Sequence, residues 1–278
     1  MGMRINTNMQ ALTAQRFLGI NSENQKNSLD HLSSGSRINK AGDDAAGLAI
    51  SEKLKSDIRS LRQATRNSND GISLIQTAEG SMNEIGNIFI RLRELSIQAA
   101  SDTLGETERG FVDKEVQQLK AEVNRIATTT EFDGIKLLDG SAGTLEFQVG
   151  THNNPELDRL AFDSEGLSST LDAFNLNGIA TITREEAQEN LAVLDDAIQH
   201  LNGNRATLGA LQNRMQSTVA NLNTYRENLE SANSRIRDTD MAHESSELMK
   251  NNILNQTNVA VLSQANQIPQ LALKLIGY

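Results

Sequence analysis

Between Leu54 and Phe89, apolar and small residues recur at Leu54, Ile58, Leu61, Thr65, Ser68, Ile72, Ile75, Met82 and Phe89. Steps of four and three residues put these positions on one stripe of a helix and mark a coiled-coil seam. The pattern predicts a helix from Asp43 and Asp44, acidic residues suited to cap and charge-match its start, to about Ala100. At ~1.5 Å per residue that is a rod of roughly 85 Å, too long to be stable unless its stripe packs on partners.

A second helix follows a break at "SDTLGE", where Thr103 and Glu106 have the spacing of a capping box. Its seam is Val112, Val116, Leu119, Val123 and Ile126. A third begins at Thr183, with Glu186 three residues on, and its seam runs through Leu191, Leu194, Ile198, Leu201, Leu208, Met215, Val219, Leu222, Leu229 and Ile236. Arg205, Gln212, Arg226 and Asn233 interrupt that seam, where polar groups lower stability and fix register. Its length, ~80 Å by the same rise, matches the first rod. Two helices of equal length joined by a returning connection pack antiparallel, with the shorter helix alongside.

Between the second and third helices the period changes. "FDGIKLL", "LDGSAG" and "TLEFQVG" combine Asp-Gly turns with alternating Leu145, Phe147 and Val149, the pattern of short hairpins. Gly and Ser thicken from Gly166 to Gly178, which reads as an exposed loop. At the ends, Met3 to about Ser34 and Asp240 to Ile276 read as helical arms. They break from the rods at "SGSRINKAGDD" and at Asp238-Thr239-Asp240, and antiparallel rods bring both breaks to one end, where the arms run side by side.

The arms differ from the rods in charge. Up to Ser22 the first has only Arg4 and Arg16, and after Lys250 the second has only Lys274. Rich in Asn and Gln and short of bulky apolar residues, they lack the core for a stable two-helix unit of their own, so they are expected to become ordered when many copies pack together. Head-to-tail contacts of that kind build open helical polymers.

Composition narrows the function. A net charge of −10 with no offsetting basic patch argues against nucleic acid. Only 3% aromatic residues, no Trp and two Pro suit long thin helices better than a thick core of rings. With no Cys there is no disulfide scaffold or thiolate metal site. The uncharged run Asn251–Leu273 is interrupted by Asn252, Asn255, Gln256, Asn258, Gln264, Asn266 and Gln267, which makes membrane insertion too costly. The N-terminus has no continuous apolar core of a cleaved signal peptide.

Candidate chemistry is sparse. His31, His152, His200 and His243 have no second ligand at helical spacing and read as solvated surface histidines. "GSRINKAG" lacks the Gly-Lys-Ser/Thr ending of a phosphate loop, and "AHESSE" lacks the second His of a zinc-protease helix. No catalytic, cofactor-binding or metal residues are assigned.

Several stretches carry a family resemblance: "INTNMQAL" from Ile5, "LSSGSRINKAGDDAAGLAIS" from Leu32, "NDGISLIQTAEGSMNEI" from Asn69, "RLRELSIQA" from Arg91, "EFDGIKLLDG" from Glu131 and "ANQIPQLALKLI" from Ala265. In this order along nearly the whole chain they resemble the bacterial flagellins, in a short form lacking large outer domains.

The resemblance implies a mainly α fold: an elongated antiparallel coiled-coil bundle with a small β-hairpin region and terminal arms forming a second coiled coil. It implies an inner core domain from residues 1–42 and 237–278, and a rod-like helical domain over 43–236 with the hairpin and loop region at about 131–182. The expected function is that of a structural, non-enzymatic subunit that self-assembles into the flagellar filament. A hook-filament junction protein, which shares terminal arms, is the alternative.

Implied partners are other flagellin copies, the hook-filament junction proteins, the filament cap and a cytoplasmic chaperone on the C-terminal arm, with export unfolded through the flagellar type III apparatus to an extracellular filament. A host Toll-like receptor recognises many flagellins through the rod; the positions here that match that motif are Arg91, Leu95 and Glu115. The same residues read more simply as filament contacts on a packed rod.

Overall fold

The computed structural model describes the backbone of residues 7–275 and the side chains of residues 7–268. The expected arm limits at Met3 and Ile276 lie outside the described residues. The helices are α1 (Met9–Ser34), α2 (Ala45–Ala99), α3 (Glu106–Thr129), the single turn α4 (Pro155–Asp158), α5 (Arg184–Arg237) and α6 (Met241–Leu275). The strands are β1 (Glu131–Phe132), β2 (Ile135–Lys136), β3 (Thr144–Gln148) and β4 (Arg159–Asp163). Contacts divide the chain into two compact units, Asp57–Glu227 and Met1–Ser56 with Asn228–Tyr278.

In the unit of residues 57–227 the heptad seams are the core. Ile75, Met82, Ile85 and Phe89 of α2, Val116 and Val123 of α3, and Leu194, Leu201 and Leu208 of α5 are fully buried in one cluster. Arg93 of α2 reaches Asp195 of α5 at 2.6 Å, and Arg205 of α5 reaches Glu79 of α2 at 2.8 Å. The Arg205 interruption of the seam is thus a cross-helix ion pair that sets register rather than an unpaired charge.

Turn chemistry shapes the β region. Asp133 and Gly134 both have positive φ, 52° and 78°, as a two-residue type I′ turn requires, and they register Phe132 opposite Ile135. β3 pairs antiparallel with β4, Thr144 opposite Asp163 through Gln148 opposite Arg159. On β4, Leu160 and Phe162 point inward and Ala161 and Asp163 outward.

Three sequence readings are corrected in this unit. Thr103 and Glu106 do not form a capping box: α3 starts later, with Gly105 as N-cap and no side-chain cap. The break is held instead by Arg109, nearly buried, whose guanidinium donates to the carbonyls of Ala99 (2.8 Å) and Ser101 (2.9 Å) at the end of α2. The Gly166–Gly178 stretch is irregular but is not an exposed loop: Leu167, Phe174 and Leu176 are buried, with the Phe174 ring edge-on to Phe89 at 5.1 Å. Its return is pinned by Lys120, whose Nζ donates to the carbonyls of Asn177 (2.8 Å) and Ile179 (2.9 Å). Burial holds this lysine below the ordinary ammonium range. His200 is exposed but is not simply solvated: its ring packs edge-on against Phe174 at 5.5 Å.

At the start of α5 the expected capping box does form. Thr183 Oγ1 accepts from the Glu186 N–H at 3.2 Å, and Glu186 Oε2 accepts from the Thr183 N–H at 3.1 Å.

In the other unit the two helix breaks are stitched to each other. Ser36 and Asp238 form an antiparallel bridge; the Arg37 N–H donates to the Arg237 carbonyl at 2.7 Å and the Thr239 N–H to the Gly35 carbonyl at 3.0 Å. Gly35, at φ 68°, ends α1 in the left-handed conformation and returns its N–H to His31. Asp44 caps α2 through the Gly47 N–H, and Asp240 caps α6 through the N–H groups of Ala242 and His243. Asp43 has a different task from the one expected. Its carboxylate accepts from the N–H groups of Asn39 and Lys40, both at 2.9 Å, and so closes the loop before α2.

Those two backbone bonds hold the Asp43 carboxyl below the usual carboxylate range, and the Arg237 guanidinium, 2.5 Å from Glu52, does the same for Glu52. Both groups titrate lower folded than unfolded. Their stabilisation is therefore complete above the unfolded carboxylate range near ~4 and is lost as pH falls through the lower folded values. Urea midpoints followed by circular dichroism should stay level from about pH 7 to 5 and fall below about pH 4. The double variant Asp43→Asn, Glu52→Gln should fall less steeply, and an unchanged slope would dismiss these two groups as the cause.

Candidate assembly surface

α1 and α6 pair antiparallel, and their facing stripes mix small and amide side chains with the half-buried Leu18, Leu32, Leu248 and Leu262. Among the described residues, Ala14, Ser28, Asn251 and Ala265 are buried there. Asn8 Nδ2 donates to the Ala265 carbonyl at 2.7 Å, Gln25 Nε2 to Asn252 Oδ1 at 2.6 Å, and Asn255 Nδ2 to Gln25 Oε1 at 2.6 Å. His31, read from the sequence as solvated, instead lies 3.5 Å from Glu244 with both side chains largely covered. Small residues let the helices approach closely, and the amides fix which residues meet.

Many of the other bulky apolar residues face outward. Met9, Leu12, Phe17 and Ile20 of α1 are 46% to 64% exposed, and Met249, Ile253, Val259 and Val261 of α6 are 49% to 66% exposed. Scattered exposed apolar residues are ordinary, but repeated ones on two adjacent, nearly uncharged helices make a surface that favours burial. Each such side chain buried is worth about 1.5–3 kcal/mol.

On the unit of residues 57–227, Arg91 and Glu115 come together and Leu95 does not join them at the surface. The Arg91 Nε and Nη2 donate to Glu115 Oε1 at 3.0 and 2.8 Å, linking α2 to α3, and Nη1 donates to Glu94 at 3.1 Å. Glu115, then Glu94, stabilises the charged guanidinium and raises its pKa further. Leu95 is 2% exposed and belongs to the core. The same outward face of α2 carries Ile90 and Ile97, 53% and 49% exposed, between the Arg91–Glu115 and Arg93–Asp195 pairs. The sequence reading passes over both, although a spacing of seven residues off the buried seam is the signal of a second stripe.

Among the described residues no group of three or more His, Cys, Asp or Glu could hold a metal ion, and no helix is long and apolar enough to cross a membrane.

The family model for the bacterial flagellin N-terminal helical region matches residues 5–143, and that for the bacterial flagellin C-terminal helical region matches residues 191–276. A flagellin of Halalkalibacterium halodurans is 46% identical over 274 residues, covering 99% of this chain and 100% of the relative. Polar flagellin A of Vibrio parahaemolyticus is 34% identical over 376 aligned positions covering 100% of both chains, so that relative carries sequence that this chain of 278 residues lacks. Among solved structures, the crystal structure of Bacillus cereus flagellin is 32% identical, with a TM-score of 0.51, covering 56% of this chain and 88% of that one. The chain belongs to the bacterial flagellin family, as a short form, and is a structural subunit of the flagellar filament.

Proposed function

We propose that α1 and α6 are the arms through which copies of this chain polymerise, and that they gain fixed order as their outward apolar residues become buried among neighbouring copies. The observation that carries this reading is the outward apolar face of the pair: amides, small residues and a few half-buried leucines lie between the helices, while Leu12, Phe17, Ile253 and Val259 face away. A helix pair whose inner stripes are interrupted by amides and whose other large apolar residues face out gains stability when outside partners cover them. The domain division follows the same logic, with residues 1–42 and 237–278 as an inner core domain and 43–236 as a rod-like helical domain.

The filament is extracellular, and export unfolded through the flagellar type III apparatus, the junction proteins, the cap and a chaperone on the C-terminal arm are the partners this reading entails. The face bearing Arg91, Glu115, Ile90 and Ile97 serves first as a contact between rods. A host Toll-like receptor would read Arg91 and Glu115 on a free monomer.

Seeded growth tests the central claim. Purified chain mixed with fragments of its own filament should elongate them, with helicity rising as polymer forms. Deletion of Met1–Gly35 or of Asp240–Tyr278 should abolish growth. Elongation by either truncated chain would remove the arms from the mechanism.

A further inference from the structure

A groove in the unit of residues 57–227 lies between the outward face of β4 and one stripe of α5, with a volume of about 380 Å³. Ala161 and Asp163 line it from the strand; Asn204, Leu208, Leu211 and Arg214 line it from the helix. Leu208 and Leu167 form an apolar floor, both buried by the fold.

Two donors there are unmatched. Asn204 is 7% exposed, yet its Nδ2 has no hydrogen-bond partner among the described residues. A buried amide without an acceptor is unfavourable and uncommon, so its position asks for an incoming oxygen. The guanidinium of Arg214, at the rim, has no partner among the described residues either. The one acid in the groove, Asp163, does not pair with either donor: its Oδ1 accepts from the N–H groups of Glu165 and Gly166, both at 3.1 Å. What fits is a carboxylate next to an apolar side chain.

The same unit displays that combination elsewhere. The turn between β3 and β4 carries Leu157, which at 79% is the most exposed large apolar residue among those described, beside Glu156, whose carboxylate has no partner among the described residues. The turn is held in shape: Asn154 Oδ1 accepts from the Glu156 N–H at 3.1 Å, Pro155 starts the helical turn, and Gln148 Nε2 donates to the carbonyls of Gly150 (3.0 Å) and His152 (2.8 Å). A preformed turn loses little freedom on docking.

We propose that the groove between β4 and α5 receives the Glu156-Leu157 turn of a second copy of this chain, Leu157 resting on the leucine floor and the Glu156 carboxylate taking the Asn204 Nδ2 and Arg214 donors. A chain cannot fill its own groove. Leu157 lies in α4, before the strand, and is 79% exposed, while the extended residues from Arg159 carry Ala161 and Asp163 about 7 and 13 Å further on at ~3.3 Å per residue. The contact is therefore heterologous, one patch on a different patch, and it propagates instead of closing on itself. This inference rests on the filament reading and names one contact within it. Its small area suffices because each subunit in a polymer is held by several neighbours at once.

Cysteine cross-linking tests it, since the chain has no Cys of its own. A double variant of Leu157→Cys with Thr207→Cys, the latter on the α5 side of the groove, grown from seeds and mildly oxidised, should give a ladder of covalent oligomers on a denaturing gel, and neither single variant should. Filaments that grow without a ladder overturn the proposed contact and leave the filament reading standing. Failure of the unsubstituted chain to elongate seeds overturns the reading beneath it.

Should the cysteine variant not assemble, charge reversal decides. Glu156→Arg and Arg214→Glu alone should each raise the lowest concentration that supports growth by about tenfold, and together they should restore it to within about threefold of the unsubstituted chain. Singles that grow normally, or a double variant no better than the worse single, overturn the contact.

Discussion

Phe89→Ala should lower the stability of the unit of residues 57–227 by about 3–5 kcal/mol, the range for emptying a ring from a packed core. Phe89 is fully buried on the α2 seam, and its ring meets Phe174 edge-on at 5.1 Å. Its removal strips contacts from the helical seam and from the irregular segment that packs against it. That segment has no ladder of backbone bonds to fall back on. It is held by the Phe174 ring, by local turn bonds such as the Leu176 N–H to the Leu171 carbonyl, and by the carbonyls of Asn177 and Ile179 that Lys120 and Gln117 gather. Since whole domains are stable by only about 5–15 kcal/mol, the loss is a large share of the total. Urea unfolding followed by circular dichroism should show it as a lower midpoint. Phe89→Leu, which keeps much of the volume, should cost about 1.5 kcal/mol or less. Equal midpoints for Phe89→Ala and the unsubstituted chain would mean that α2 and the 164–183 segment are held together by something else.

This segment also shows where the sequence stops being legible. Regular elements announce themselves through period: the α2, α3 and α5 seams and the Asp133-Gly134 turn are visible because burial every three or four residues, or a left-handed turn, leaves few alternatives. Phe174, Leu176 and Ile179 are buried with no helical or strand period, so the glycines and serines around them dominate the reading and suggest exposure. Caps divide on the same principle. Thr183 and Glu186 form their box because the chain enters α5 directly after them. Thr103 and Glu106 share the spacing, but Arg109 reaches back from α3 to bind the last carbonyls of α2, a long-range bond that no local motif encodes.

The assembly surface was half legible. The scarcity of charge in the arms is a property of the sequence, whereas which amides face inward and which bulky residues, such as Phe17 and Ile253, face outward depends on how α1 and α6 are rotated against each other. Leu95 belongs to a matching motif, yet it is buried beneath the Arg91–Glu115 pair, because a linear pattern does not say which side of a helix faces water.

Placing a charge on the outward face of both arms should stop polymerisation while leaving the monomer intact. Phe17 and Val259 are 47% and 55% exposed, so Phe17→Asp with Val259→Asp removes little packing from the single chain. Exposed substitutions of this kind usually change stability by no more than about 0.5 kcal/mol each. In the polymer as proposed, the same positions face apolar neighbours. There each substitution forfeits about 1.5–3 kcal/mol of burial and adds the cost of an unpaired carboxylate removed from water. Even about 4 kcal/mol for the pair corresponds to a roughly thousandfold rise in the concentration needed for growth. Seeds incubated with the double variant at concentrations that saturate the unsubstituted chain should not elongate, although the variant's helicity and melting curve match. Phe17→Leu with Val259→Leu, apolar but differently shaped, should keep growing, which ties the loss to polarity rather than to shape. Growth by the double aspartate variant at ordinary concentration would mean that these faces stay in water inside the filament, and the ordering of the arms would then need another source of free energy.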